Sequence, residues 1–267
     1  MPVTVGEIVN LLEQFAPPEL AEDWDRIGLQ IGDKKTPVTG ILVSLDPLLS
    51  AVEFAAESGL NFLVSHHPLF FRPFETIDLS KNQGKLLQKA LSHGIALFAA
   101  HTNLDSTPGG INDILANLLG LLEVRPLQES IKDSQGGMGR IGVLPKEITL
   151  KDFANQVKKV LETPALRMVG KENEKVQNIA VCGGSGSKLI DLAREAAVDC
   201  YVTADIRYHE ALEALEEGPF LIDPGHFSME RTMVPFLVDY LKEKISKKGW
   251  ELPIKGFTKE IDPFRFL

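Results

Sequence analysis

Short apolar runs alternate with helical stretches along nearly the whole chain, and this alternation limits the folds that the chain can adopt. A capping box formed by Thr4 and Glu7 predicts a first helix over residues 4–15. The predicted strands of the first half lie at 41–45, 62–64 and 95–100, and helices are predicted at 48–57, 84–92 and 112–119. Strands separated by single helices favour an α/β protein with mainly parallel sheets.

The second half of the chain repeats this scheme. Its predicted strands lie at 141–144, 166–169, 179–182, 201–203 and 220–222, and a long last helix is predicted over 230–245. The motif His101-x-x-x-Asp105 follows a strand of the first half, and the matching motif His226-x-x-x-Glu230 follows a strand of the second. We therefore expect two similar βαβ lobes that are interleaved in the chain or face each other.

The length of 267 residues suits one large domain or two packed lobes. The stretch 128–138 is polar and rich in glycine, which is typical of a linker. We therefore predict a first α/β lobe over residues 1–130 and a second over 131–267. The C-terminal segment of the second lobe can pack back on the first.

Composition removes several classes of function. The chain has 28 basic and 37 acidic residues, a net charge of -9, so binding to nucleic acid or to an anionic membrane is disfavoured. No window approaches about 18 consecutive apolar residues, and the start of the chain lacks a signal-peptide pattern, so a cytoplasmic location is predicted. Cys182 and Cys200 are the only cysteines and are expected to be buried, reduced thiols, which argues against a thiolate zinc site.

Most of the histidines follow predicted strands. They are His66, His67, His101, His226 and, at a slightly greater distance, His209. Ligand-binding groups of parallel sheets collect outside the carboxyl ends of the strands. Pro68 ends the strand after the histidine pair, so both imidazoles can turn toward one cavity. If short helices begin at the two His-x-x-x-acid motifs, each histidine and its carboxylate lie on one helix face.

These donors point to a metal site. Imidazole and carboxylate without thiolate suit zinc, iron, manganese, nickel or cobalt better than calcium. Five or six such donors exceed the three protein ligands of one catalytic zinc, so two metals that share a carboxylate fit the count better. Two bound ions would make the pocket positive and suit a small anionic or carbonyl substrate. The structural alternative is that single histidines beside strands only make hydrogen bonds.

Four motifs resemble the Nif-three-like family, whose members are also labelled GTP cyclohydrolase 1 type 2 homolog. The motifs are SHHPL at 65–69, AHTNLD at 100–105, GHFSMER at 225–231 and WDRIGLQ at 24–30, and the resemblance covers residues 4–265. It implies two similar α/β lobes with a dinuclear metal centre between them and a toroidal homohexamer. It also implies a set of metal ligands, namely His66, His67, Asp105, His226 and Glu230, with Glu230 bridging. His101 becomes a residue near the site or a sixth ligand.

The function expected from these features is a hydrolase with two divalent metal ions per protomer. Its substrate would be a small phosphorylated, nucleotide or cyclic-amide molecule, and His101 would accept a proton or orient the water. The alternative from another class is a metal-binding hexameric scaffold or regulator that binds protein partners without turnover.

Three further segments have two interpretations each. The glycine-rich GGSGSK at 183–188 is either a tight turn or a phosphate-binding loop. The stretch 203–209 is a candidate pocket lining, with Asp205 or His209 available for proton transfer. Trp24 and Asp25 are interpreted as a packing and turn element, which the resemblance puts near the site.

Overall fold

The computed structural model describes residues 2–130 and 136–266 and divides into two compact units. The first unit contains Met1–Leu104 together with Met233–Ile261, and the second contains Asp105–Thr232 together with Asp262–Leu267. The chain therefore leaves the first unit and later returns to it. The predicted lobes 1–130 and 131–267 follow a different division and stay a prediction.

The elements follow one another in the mixed order expected of an α/β protein. In chain order they are α1 (Val5–Phe15), β1 (Gly28–Ile31), β2 (Ile41–Ser44), α2 (Leu49–Glu57), β3 (Phe62–Ser65), α3 (Asn82–Ser92), β4 (Ala96–Ala99), α4 (Thr102–Ser106), α5 (Ile111–Leu118), β5 (Leu122–Glu129), β6 (Gly137–Thr149), α6 (Leu150–Val160), β7 (Arg167–Val169), β8 (Lys175–Val181), α7 (Ile190–Glu195), β9 (Cys200–Val202), α8 (Tyr208–Glu217), β10 (Phe220–Asp223), α9 (His226–Glu230), α10 (Met233–Lys247) and β11 (Ile254–Gly256).

The sheet of the first unit has the strand order β1-β4-β3-β2-β11. Strands β11, β2, β3 and β4 are parallel, and β1 adds an antiparallel edge. The three central strands are buried along their whole length, as in parallel sheets that are covered on both faces. Because Ser44 pairs with Ser65 and Ser65 with Ala99, the residues that follow these strands emerge at one edge of the sheet.

The sheet of the second unit has the order β5-β6-β8-β9-β10-β7. Only β8, β9 and β10 are parallel, so the predicted mainly parallel arrangement holds for the first sheet and in part for the second. The difference arises from three antiparallel pairings, β5 with β6, β6 with β8 and β10 with β7; in the first of them Gln128 pairs with Met138 and Glu129 with Gly137. The described ends of the predicted linker 128–138 are therefore paired strands, and its residues 131–135 lie outside the described residues.

The helix starts follow the sequence closely, with one correction. Thr4 and Glu7 form the predicted capping box at the start of α1. The long helix predicted over 230–245 is α10, which begins at Met233, and Glu230 instead ends the short helix α9. Pro235 lies in the first turn of α10, where a missing N–H is tolerated and which marks a helix start. Short helices are present at both His-x-x-x-acid motifs: α9 contains both His226 and Glu230, as expected, whereas α4 begins at Thr102 and leaves His101 outside.

Two expectations from composition are met. Within residues 2–130 and 136–266, none of the helices combines the length and apolar character that a membrane span requires. Cys182 and Cys200 are buried free thiols, and burial raises the pKa of both well above the usual range. Both thiols are therefore protonated and of low reactivity at neutral pH.

A buried arginine holds the start of β6 in the second unit. Arg140 is 1% exposed, and its guanidinium makes two hydrogen bonds of 2.6 and 2.8 Å to the Asp113 carboxylate. It also donates to the carbonyls of Gly137 and Gly139. A buried charge needs this full set of partners because desolvation is costly.

Replacing Asp113 with alanine is therefore expected to lower the free energy of unfolding by about 3 kcal/mol, since the Arg140 charge stays buried without its counter-ion. Urea denaturation measures the loss. The matched control is Glu172→Ala, which removes an exposed ion pair with Lys151 and should change stability little. If the two variants lost the same free energy of unfolding, the Arg140–Asp113 pair would stabilise the fold no more than an exposed ion pair does.

Candidate metal centre

Three imidazoles meet at the strand ends of the first unit. His66 and His67 follow β3, and His101 follows the adjacent strand β4. Their ring centroids are 5.0 to 5.5 Å apart, and each ring offers a nitrogen such that these atoms all lie within 4.8 Å of one another. The neighbouring register of β3 and β4 therefore assembles what we call the imidazole cluster.

Each ring of the imidazole cluster is held through the same nitrogen. The Nδ1 atom lies 2.9 Å from the Ala100 carbonyl oxygen in His66, 2.8 Å from an Asp46 carboxylate oxygen in His67 and 2.9 Å from an Asp25 carboxylate oxygen in His101. A carbonyl or carboxylate oxygen only accepts, so Nδ1 carries the proton and donates. Nε2 is then the nitrogen suited to a metal, and this is the arrangement that metal-binding histidines usually have.

Asp25 fixes His101 from a buried position. Its carboxylate accepts hydrogen bonds from the Thr102 backbone N–H at 3.0 Å, from the Thr102 hydroxyl at 2.5 Å and from the Arg26 N–H at 2.7 Å. Burial by itself would raise the pKa of Asp25. The hydrogen bonds and charge of His101, together with the Thr102 hydrogen bonds, outweigh burial and lower that pKa to about 2. Asp25 is therefore an ionised support for His101.

This lowered pKa predicts a pH-dependent cost for Asp25→Asn. A carboxyl with a pKa near 2 in the folded protein and 3.8 otherwise stabilises the fold by about 2 kcal/mol above pH 3.8. That contribution disappears as the pH falls through 2, so the variant should lose about 2 kcal/mol at pH 7 and much less near pH 2. Urea unfolding of metal-free protein tests this, with the exposed Asp239→Asn as control. A cost that does not change with pH would contradict it.

Two carboxylates that support His67 were missed in the sequence analysis. Asp46 follows β2, and its carboxylate faces the His67 ring. Glu260 accepts hydrogen bonds from the backbone N–H groups of Leu45 and Asp46, at 3.0 and 2.7 Å, and burial raises its pKa. The position of Asp46 after a parallel strand was a usable signal. Glu260 carried no local signal because it comes from the far end of the chain.

The second unit contains a separate histidine and carboxylate pair. His226 and Glu230 lie on α9, four residues apart, with His226 Nε2 2.8 Å from a Glu230 carboxylate oxygen. Asp205 holds Nδ1 of the same ring at 2.8 Å. Burial would lower the pKa of His226, but the hydrogen bonds and charges of Glu230 and Asp205 outweigh it and raise the pKa to about 9. A metal ion at Nε2 would replace the proton there.

A glycine leaves room for Glu230. A Cβ atom on Gly184 would lie 2.1 Å from a Glu230 carboxylate oxygen and 3.3 Å from the His226 ring, and Gly184 has a φ of +61°. Two N–H groups of the same loop are already donated, from Gly183 to Asn112 and from Gly186 to Thr203. The contacts therefore favour a loop that supports Glu230 over one that binds phosphate.

Of the other residues predicted in the second unit, Asp105 and Asp205 lie near His226, Glu230 or the Cys182 thiol, and His209 lies elsewhere. Asp105 is 6% exposed, and its charge and that of Glu230 both contribute to the raised pKa of Cys182, so both carboxylates lie near this thiol. Asp205 reaches His226. His209 instead lies exposed on α8, with its ring 5.3 Å from that of Tyr208.

The donor set fits divalent metals. In the first unit His66, His67 and His101 each have Nδ1 bound to an oxygen acceptor, so Nε2 is the atom that each would offer to a metal. In the second unit His226 has the same orientation, with Nε2 beside Glu230, and the carboxylates of Asp105 and Glu230 are buried. Neutral imidazole and carboxylate without thiolate suit zinc, iron, manganese, nickel or cobalt. The space under Glu230, which a Cβ would fill, allows its carboxylate to stay beside His226.

Comparisons with known proteins agree with these motifs. A sequence profile of the family Duf34/NIF3 (NGG1p interacting factor 3) matches residues 3–263. A protein of Clostridium acetobutylicum named GTP cyclohydrolase 1 type 2 homolog is 35% identical over 267 residues, which is all of both chains. The crystal structure of hypothetical protein SA1388 of Staphylococcus aureus is 32% identical, with a TM-score of 0.95 over all of both chains. A Bacillus cereus protein related to NIF3 is 29% identical, with a TM-score of 0.95 over 99% of each chain.

Proposed function

The chain belongs to the Duf34/NIF3 family, and from this premise we propose that it is a hydrolase that binds two divalent metal ions per chain. The ligands in this proposal are His66, His67, Asp105, His226 and Glu230. The observation that carries it is the imidazole cluster: His66, His67 and His101 each offer a ring nitrogen within 4.8 Å of the others, while Nδ1 of each ring lies against an oxygen acceptor. The exposed His93 also has Nδ1 at a carbonyl oxygen, so orientation without this clustering does not indicate a metal.

The chemistry follows from the donor set. When bound, a pair of divalent metals lowers the pKa of a water molecule toward neutrality and polarises the group under attack. Ala100, Asp46 and Asp205 fix the rings of His66, His67 and His226. Glu230 is the proposed bridging carboxylate. The substrate class is a small phosphorylated, nucleotide or cyclic-amide molecule, and the name of the Clostridium relative supports a nucleotide.

His101 is proposed as the proton acceptor. Its Nδ1 is held by the ionised carboxylate of Asp25, so Nε2 is the basic atom, as in other oriented histidine bases. We expect His101→Ala to retain both metals and to lower kcat about 100- to 10,000-fold. Elemental analysis and rates on the same preparation test this. Loss of a metal in this variant would make His101 a sixth ligand instead.

The decisive experiment for the activity is a screen of metal-loaded protein against phosphoesters, nucleotides and cyclic amides. Hydrolysis that disappears in His67→Ala and Glu230→Ala supports the proposal. Hydrolysis that survives both substitutions unchanged would show that it does not use this centre. A fully loaded protein that hydrolyses nothing would contradict the hydrolase and leave the metal-binding scaffold as the function.

The homohexamer and the cytoplasmic location complete the proposal and stay predictions. The resemblance to the family supports the hexamer. Size-exclusion chromatography with light scattering should give a mass near six times 29.4 kDa. A monomeric mass at the same concentration would contradict it.

A further inference from the structure

Two exposed aromatic side chains stand beside the imidazole cluster. Trp24 is 52% exposed and Phe71 is 56% exposed. Their ring centroids lie 6.0 and 6.2 Å from that of His101 and 5.8 Å from each other. We call Trp24 and Phe71 the aromatic wall. Single exposed apolar residues are common on proteins, but two large rings that flank the same candidate catalytic imidazole are typical of a ligand-binding surface. Trp24 lies in a turn, as expected, and its ring stands beside His101, where the resemblance puts it.

The aromatic wall is held in place by hydrogen bonds of its supporting segments. The Gln30 side chain accepts from the Phe70 N–H at 3.3 Å and donates to the Arg26 carbonyl at 2.9 Å. It therefore links the segment that carries Phe71 to the segment that carries Trp24. On the other side, Asp25 is bound to Thr102 and His101. The backbone on both sides is fixed while the two rings stay exposed, as a preformed binding surface requires.

The geometry of the rings selects a class of ligand. The Trp24 and Phe71 rings are inclined by 59° to each other, so they do not stack flat and cover each other's faces. Exposed aromatic faces bind flat heteroaromatic rings by stacking, whereas a charged and strongly hydrated phosphate group gains little from such a surface. We propose that the aromatic wall binds a planar heteroaromatic ring of the substrate next to His101. This inference rests on the proposed hydrolase, and it narrows the substrate from phosphoesters in general to molecules with such a ring.

Trp24 itself supplies the measurement. The chain has two tryptophans, so Trp250→Phe leaves Trp24 as the single tryptophan. The metal-loaded variant is titrated with AMP, with GMP and with ribose phosphate, which lacks the ring. We expect a saturable change in Trp24 fluorescence with at least one nucleotide, at a concentration about tenfold or more below that needed for ribose phosphate. An equal response to ribose phosphate, or no response to either nucleotide, would overturn the proposal.

A second variant tests the other ring. Phe71→Leu in the Trp250→Phe background should weaken nucleotide binding about tenfold and leave the metal content unchanged. The control is Leu79→Ala, which removes a side chain that is 50% exposed on the same segment and should leave nucleotide affinity unchanged. Unchanged nucleotide affinity in Phe71→Leu would contradict the wall.

The two proposals fail in different ways. If nucleotides change the fluorescence but the protein hydrolyses nothing, the proposed ring binding by the aromatic wall stands and the proposed hydrolase activity is contradicted. If the protein hydrolyses a phosphoester that lacks a ring, and Phe71→Leu does not change the rate, the proposed hydrolase activity stands. The proposed role of the aromatic wall is then contradicted.

Discussion

Replacing His66 with alanine is expected to lower the affinity for a divalent metal by at least about 100-fold. His66 is fully buried and its Nδ1 is committed to the Ala100 carbonyl, so Nε2 is the atom that a metal would use. Removing a residue that only hydrogen-bonds to a metal ligand typically lowers metal affinity about 10- to 100-fold. Removing a direct ligand lowers it further. Isothermal titration with zinc or manganese measures the loss, and hydrolysis should fall with it.

The matched control for His66 is His93→Ala. His93 is exposed at the end of α3, where its Nδ1 contacts the Lys89 carbonyl, and it lies outside the imidazole cluster. Its removal should leave metal affinity unchanged. If the two alanine variants bound metal equally well, the imidazole cluster would not be a metal site.

Gly184→Ala is expected to remove metal from the second unit without changing any ligand. The added Cβ would lie 2.1 Å from the Glu230 carboxylate oxygen, so the Glu230 carboxylate must leave its present position beside His226. Since the site needs both groups on α9, we expect a loss of one metal per chain or an affinity lower by about 10- to 100-fold. Elemental analysis of the purified variant measures the content.

A matched glycine separates this contact from backbone strain. Gly94 has the same φ of +61°, and a Cβ there would meet nothing within 4 Å. Backbone strain should therefore lower the free energy of unfolding of Gly94→Ala by on the order of 1 kcal/mol, about as much as the same strain does in Gly184→Ala. Gly94→Ala should nevertheless keep its full metal content. Full metal content in Gly184→Ala, or an equal loss of bound metal in both variants, would show that the space under Glu230 does not matter.

The sequence predicted the position of the histidines because strand ends are local features. The apolar runs before His66 and His101 define β3 and β4, and parallel strands align their carboxyl ends. Four-residue spacing likewise predicted that His226 and Glu230 share α9. These inferences need only the period of each element and the direction of the sheet.

The remaining features depend on contacts between distant parts of the chain. The role of Gly184 depends on α9 lying over a loop that comes more than one element earlier. Glu260 reaches the segment after β2 only because β11 pairs with β2. The antiparallel pair of β5 and β6 was predicted to contain a linker because the sequence over 128–138 is polar and rich in glycine and because the exposed strand β5 lacks a strong apolar alternation. Local patterns do not contain this information.

The metal content of the unmodified protein tests the central claim most directly. Purified protein is stripped with a chelator, reloaded with zinc, iron, manganese, nickel or cobalt in turn, dialysed, and measured by inductively coupled plasma mass spectrometry. We expect two tightly held ions per chain for at least one of these metals. Fewer than two ions per chain with every metal would contradict the dinuclear centre.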